Sequence, residues 1–325
     1  VRVGKLSSED LSRIINENRG YRRNEVRVRS SIGEDCSVVE FGEYEGVFST
    51  DPITAATINI GKLAVNINAN DIASCGVQPL GILVTILAHP SSTLAELEDI
   101  MKEIDKECRK LKIEILGGHT EVTDAVNKTI ISATVIGRTK IGTSVLTSNA
   151  IEGNDIIVTK DLCLEGTSII ANDFKDKAIK ILNEEEIEEA LSYSEKLSVV
   201  KEGKISGDFK VNAMHDITEG GILGALWELA EASKVGFFIY EDKMPITLIT
   251  KKLCKFFEVD PLKFISSGSM LICTDNGEEL VEKLVSNGIK ATIIGKIINE
   301  KRVIINKGKE IKVIAPEEDE IYKLV

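Results

Sequence analysis

Residues 60–88 read IGKLAVNINANDIASCGVQPLGILVTILA, and this stretch decides the fold class. Leu63, Ala64, Ile67, Ile72 and Ala73 recur at helical spacing, which predicts a helix over 60–74. Gly76 stands where a left-handed C-cap belongs. Pro79 then leads into Leu80 to Ala88, whose Ile and Val content predicts a strand. The helix carries an uncommon polar load, with Asn66, Asn68, Asn70 and Asp71 inside it and Asn66 and Asn70 on one face. Asn is a poor interior helix former, so this density calls for a bonding reason, either a neighbouring loop or a ligand.

Outward from there, elements of both kinds alternate. On the N-terminal side, a first helix capped around Ser7 to Asp10 is followed by an Arg-rich stretch from Arg19 to Arg29. Strands at Val38 to Phe41 and Gly46 to Thr50 flank a turn, the second ending in Ser49-Thr50-Asp51. On the C-terminal side, Leu94, Leu97, Ile100, Met101, Ile104 and Cys108 form one apolar stripe on a helix over 93–111. A strand at Ile113 to Leu116 ends at Gly117-Gly118, and another runs from Thr129 to Ile136. Gly142 and Gly153 mark a boundary, and Asp155 to Lys160 opens the second half as a strand. Helices at 166–172, 185–201 and 222–232 follow, with strands at 237–240 and 270–273 and alternating segments at 290–297 and 302–305. The chain thus reads as α+β in two domains, 1–145 and 146–325, each large enough for its own core.

Charge narrows the partners. The 325 residues carry 52 acidic and 40 basic side chains, a net charge of -12, so phosphate backbones and anionic membrane surfaces repel the chain. Such a protein binds a polyanion only when divalent metal mediates between carboxylates and phosphates. The six cysteines are scattered, with no CxxC or CxxH, and read as reduced thiols rather than a zinc or redox pair. No apolar run resembles a signal peptide or reaches bilayer-spanning length, and a cytoplasmic location is expected.

Five polar clusters stand at the ends of apolar elements: Gly33-Glu34-Asp35, Ser49-Thr50-Asp51, the Asn66 to Asp71 group, Gly117-Gly118-His119-Thr120-Glu121, and His215-Asp216-Ile217-Thr218-Glu219-Gly220-Gly221. Singly, each has a bland account. Glu34-Asp35 can be a solvated turn, Asp51 before Pro52 a turn start, Gly117-Gly118 a tight bend, His119 a structural histidine, and Asp216 or Thr218 a helix N-cap. None matches GxxxxGK[ST] or GxGxxG. Together, several carboxylates with glycines that let a backbone approach suit Mg2+ bridged to a polyphosphate.

At these residues the chain resembles the aminoimidazole ribonucleotide synthetase-related (PurM-like) superfamily, and within it the HypE branch of hydrogenase maturation most closely. Gly33-Glu34-Asp35-Cys36-Ser37-Val38 looks like the family's Gly-Asp-Asp-Ala-Ala-Val, Ser49-Thr50-Asp51 like Thr-Thr-Asp, and Asn70-Asp71-Ile72-Ala73 like Asn-Asp-Leu-Ala. Gly117-Gly118-His119-Thr120 stands where the family has Gly-Gly-Asp-Thr or Gly-Gly-Glu-Thr, and His215 to Gly221 is similar to the HypE pattern Arg-Asp-Pro-Thr-Arg-Gly-Gly. The resemblance implies two α+β domains and a homodimer that pairs its N-terminal sheets, with ATP and Mg2+ bound at the dimer cleft. It further implies phosphoryl transfer from ATP to an acceptor oxygen, and a maturation partner protein. Carried over by residue, Asp35, Asp51, Asp71 and Glu121 are the metal candidates. Gly33, Ser49, Thr50, Asn70, Gly117, Gly118 and Thr120 would face the nucleotide, and Asp51, Asp71, His119 and Asp216 would carry the chemistry.

Three departures qualify the match. The HypE branch ends in a Pro-Arg-Ile-Cys tail, whereas the last cysteine here is Cys273 and the sequence closes Ile321-Tyr322-Lys323-Leu324-Val325. His119 replaces an acidic residue, and Glu121 stands near enough in sequence to substitute. Ser266-Ser267-Gly268-Ser269-Met270-Leu271 replaces the Gly-Glu-Asp-Tyr-Glu-Leu-Leu stretch of thiamine-monophosphate kinases, which argues against that kinase. The alternatives are therefore a small-molecule kinase of that type and a non-catalytic nucleotide-binding dimer.

Overall fold

The structure is a computed structural model that describes residues 6, 8–18, 20–29, 31, 33–54, 59–316 and 318–324. The cap expected at Ser7 lies outside the described residues, as does Arg19. The first half contains α1 (Ser8–Glu17), β1 (Val26–Val28), β2 (Ser37–Phe41), β3 (Tyr44–Ile53), α2 (Ile60–Ser74), β4 (Pro79–Ala88), α3 (Leu94–Leu111), β5 (Glu114–Val122) and β6 (Ile130–Lys140). Its strands form one sheet in the order β1-β2-β3-β6-β4-β5, antiparallel except for the parallel β4–β5 pair. α2 and α3 lie against this sheet. α3 starts in a capping box, with the Thr93 hydroxyl accepting from the Glu96 amide and Glu96 returning to the Thr93 amide.

The polar load of α2 has a backbone explanation. Asn68 accepts from the Asp51 amide at 2.8 Å and donates to the Ala64 carbonyl at 2.9 Å, tying the helix to β3. Asn70 donates to the Leu197 carbonyl at 2.9 Å and accepts from the Val199 amide at 2.8 Å, tying the same helix to the second half of the chain. Buried backbone groups need such partners, and these asparagines supply them.

The second half contains β7 (Asp155–Thr159), α4 (Leu164–Asp173), α5 (Lys175–Ala178), α6 (Glu184–Ser192), α7 (Val200–Phe209), β8 (Ala213–Ile217), α8 (Gly221–Ser233), β9 (Gly236–Tyr240), α9 (Leu248–Phe257), β10 (Ser269–Thr274), α10 (Gly277–Ser286), β11 (Ala291–Ile298), β12 (Arg302–Asn306) and β13 (Lys309–Lys312). The strands form a second sheet in the order β13-β12-β9-β11-β7-β10-β8. One apolar cluster joins α4, α8 and α9 to this sheet. A second, containing Val199, Val200, Met214, Met270 and Ile272, continues into Ile72, Ala73 and Ile104 of the first half, so the core crosses the domain junction. At that crossing α7 meets α2 backbone to backbone. A Cβ on Gly203 would run into the Ala73 carbonyl, and one on Gly207 would lie 2.5 Å from the Gly76 carbonyl.

Three sequence expectations are corrected. The helix expected over 185–201 breaks into α6, a 3-10 turn at Tyr193–Lys196, and α7. The chain between them is pinned, because Lys160 Nζ donates to the Lys196 and Ser198 carbonyls at 2.9 and 2.6 Å while Asn70 holds residues 197 and 199. The strand expected to stop at Leu116 runs on to Val122, through Gly117 and Gly118 at φ of 146° and 153°. The plain N-cap account of Asp216 or Thr218 gives way, because Gly220 (φ 80°) is the N-cap and Asp216 belongs to β8.

Candidate active site at the domain junction

Four carboxylates converge where the halves meet. Asp35 precedes β2, Asp51 lies in β3, Asp71 is inside α2 and Asp216 is in β8. Asp71 is buried at their middle: burial raises its pKa well above the ordinary carboxylate range, and the charges of Asp216, Asp51 and Asp35 push it the same way. The Ser49 hydroxyl donates to Asp71 Oδ2 and works in the opposite direction. Behind this group the Cys36 thiol and the Ser74 hydroxyl both donate to the Asp71 carbonyl, at 3.1 and 2.7 Å, so the loop after Gly33 is laced onto α2.

Two residues without a role in the sequence reading complete the centre. His215 is 4% exposed, with Nδ1 2.8 Å from Asp35 Oδ2 and Nε2 3.0 Å from Glu228 Oε2 on α8. Burial disfavours charge on the ring, but the Asp35 and Glu228 carboxylates outweigh it and raise the His215 pKa well above its usual value. His215 stood in a quoted motif, so its presence was readable. Glu228 carried a weaker signal, a carboxylate set between Trp227 and Leu229 in the apolar stretch of α8.

The remaining candidates separate. Gly33 (φ 80°) approaches α8, where an added Cβ would lie 2.6 Å from the Glu228 carbonyl, so its backbone freedom serves domain contact. Glu34 is not a solvated turn residue: it accepts from the Ser148 amide at 3.1 Å, and burial raises its pKa. Thr50 points to the other side of β3, donating to the Ala133 carbonyl at 3.0 Å and accepting from the Thr134 hydroxyl at 2.9 Å. Asn70 is committed to the backbone at 197 and 199. Gly117, Gly118, His119, Thr120 and Glu121 lie exposed on β5, with His119 Nε2 3.5 Å from Glu121 Oε2. Asp51, Ala133, Val84 and Gly118 form one row across the sheet. Three strand spacings of about 4.8 Å therefore keep the β5 residues roughly 14 Å from Asp51. The start of α8 is also occupied from within the chain, because the Gly220 amide donates to Asp319 Oδ2 at 2.6 Å.

Carboxylates packed this closely repel unless a cation joins them, so their chemistry suits a hard divalent ion. Residues 33–139 match the N-terminal domain of AIR synthase related proteins, and residues 152–307 match the C-terminal domain. The chain belongs to the AIR synthase related family. A Methanocaldococcus jannaschii member, provisionally assigned to hydrogenase expression/formation, is 30% identical over 321 residues, covering 93% of this chain and 90% of the relative. The carbamoyl dehydratase HypE of Rhizobium leguminosarum bv. viciae is 26% identical over 84% of this chain and 79% of its own length. Among solved structures, HypE in a HypE–HypF complex has a TM-score of 0.74 at 21% identity, covering 94% of this chain and 99% of that one. HypE in complex with ATP has a TM-score of 0.72 at 20% identity, covering 84% and 85%. At this identity the structural likeness is one of fold. This AIR synthase related chain has the two-domain PurM-like α+β architecture, and no helix among its described residues is long and apolar enough to cross a membrane.

Proposed function

We propose that the chain is an ATP- and Mg2+-dependent enzyme of the HypE type, which activates an acceptor oxygen by phosphoryl transfer at the junction of its two domains. The observation that carries this reading is Asp71, a carboxylate buried among three others drawn from both halves. Asp35, Asp51, Asp71 and Asp216 would hold Mg2+, which when bound neutralises the polyphosphate and the charge that develops in transfer. Ser49 holds one Asp71 oxygen in place, and Asn68 fixes the Asp51 backbone. Phosphorylation would turn a carbonyl-type oxygen into a phosphate leaving group, the step a dehydration needs. The HypE name of the relatives and the ATP complex of a structural neighbour support this reading.

The exposed β5 edge, with Leu116 46% and Val122 60% accessible, supports a homodimer that pairs these sheets. In that arrangement Gly117 to Glu121 would face a partner copy rather than the centre of their own chain. The named HypE–HypF complex makes a maturation protein the natural class of further partner.

The test is calorimetric titration of ATP with and without Mg2+, on the native protein and on Asp51→Asn and Asp71→Asn. Mg2+-dependent binding should fall by about 100-fold or more in each variant, as expected when a phosphate-bridging ligand is lost. Unchanged binding in both would remove the carboxylate centre as the nucleotide site.

A further inference from the structure

His215 occupies a position where the HypE pattern has Arg, and the exchange alters what the centre can bind. A guanidinium only donates hydrogen bonds, whereas a neutral imidazole nitrogen ligates metal. One ligand atom each from Asp35, His215 and Asp216 lies within 4.8 Å of the other two. Ligands about 2.0–2.2 Å from a common tetrahedral ion lie roughly 3.3–3.6 Å apart, so the set closes once its widest pair draws in by at most about 1.5 Å. The far nitrogen meets a second condition. Glu228 Oε2 stands 3.0 Å from Nε2, and an outer carboxylate of this kind fixes the tautomer and orientation of a ligating histidine. The ring is buried between β8 and α8, which holds Nδ1 toward Asp35.

We propose that Asp35, His215 and Asp216 form a site for a borderline first-row transition-metal ion, with Glu228 as the outer carboxylate that orients His215. The ion takes the place of the proton between Nδ1 and Asp35 Oδ2, and that proton leaves to solvent. Imidazole selects ions such as Co2+ or Zn2+ over Mg2+. Asp35 and Asp216 each keep a second carboxylate oxygen for the harder Mg2+, whose set Asp51 and Asp71 complete. The proposal rests on the nucleotide reading only in sharing Asp35 and Asp216 with it.

The experiment strips the full chain with EDTA and titrates it with Co2+, following the visible ligand-field bands, with and without a large excess of Mg2+. It is repeated on His215→Arg and Glu228→Gln, and Mg-ATP binding is measured separately on each protein. The expected result is a 1:1 Co2+ complex with altered bands that Mg2+ does not displace. Affinity should drop by at least about 100-fold in His215→Arg and by about 10-fold or more in Glu228→Gln. Should His215→Arg fail to fold, Glu228→Gln retains every ligand and reads the same site. No spectral change on the native protein would reduce the cluster to an ion pair and overturn the proposal. Equal Co2+ affinity in every folded variant would make the site one of oxygens only and overturn it as well. Retained Co2+ binding with no Mg-ATP binding would sink the nucleotide reading alone.

Discussion

Strands β5 and β8 each close one end of a sheet, yet their surroundings are opposite. β5 leaves nearly every residue exposed, whereas β8 is buried along its whole length. The difference lies in what covers the edge. β8 is overlain by α8, by α2 from the other half, and by the turn at Thr147–Asn149, where Thr147 donates to the Met214 carbonyl at 2.9 Å. Over β5, α3 reaches in without burying the strand, which stays exposed among the described residues. An edge covered by its own chain can hold charged groups in a dry setting, where their mutual effects are large. An uncovered edge keeps its polar groups in water and offers its ladder to another chain.

The sharpest test of this contrast lies within β5 itself. Gly118→Ala drives a Cβ into the Val84 carbonyl, while the same change at Gly117 meets only Leu83 at 3.9 Å. Gly118→Ala should cost more than about 3 kcal/mol and Gly117→Ala about 1 kcal/mol, read by denaturant melts. Equal costs would mean that the β4–β5 pairing is not as drawn.

On the buried side, Glu165 at the start of α4 has one oxygen with no hydrogen-bond partner, and burial lifts its pKa to about 7. A raised carboxylate pKa favours the folded state while the group is protonated. That contribution is present below about pH 4.5 and is lost as pH rises through about 7. Glu165→Gln should thus match the native protein near pH 5 and exceed it in stability by about 2–3 kcal/mol at pH 8. A stability difference independent of pH would show that Glu165 is not buried as a carboxyl.

Removing the cover over β8 with Thr147→Val leaves the Met214 carbonyl short of a donor and should cost about 1–2 kcal/mol in thermal unfolding. A neutral result would indicate that water reaches this edge. The smallest effect is expected at His119→Ala. Its side chain is 67% exposed beside Glu121 at 55%, so stability should move by less than about 0.5 kcal/mol. A larger loss, growing with protein concentration, would reveal this residue inside a dimer contact.

Much of this molecule was legible in the residue pattern. The period of Leu94 to Cys108 and the run from Leu80 to Ala88 gave α3 and β4, because one apolar face or a buried strand leaves a periodic trace. The motifs around Asp35, Asp51, Asp71 and Asp216, bland one by one, were informative in their order along the chain, and the fold brings these four carboxylates together. The break between α6 and α7 was not legible. Residues 193–199 depart from the helix because Lys160 and Asn70, far away in sequence, claim their backbone. The division between centre and edge was hidden for a similar reason. Gly117 to Glu121 follows a strand just as a loop would, and only the pairing with β4 shows that the strand continues. Asn70 illustrates the limit: its pattern marked it as needed, and its partners made it structural.

The touching backbones of α2 and α7 also constrain how such a chain can be changed. Because Gly203 lies on Ala73 and Gly207 on Gly76 with no space between, each half is the template for the other's surface. A chimera that takes its first half from one relative and its second from another would inherit two helices shaped for absent neighbours. Exchange between family members would succeed only where both sides of this seam travel together, so the two halves are inherited as one unit although they look separable along the sequence.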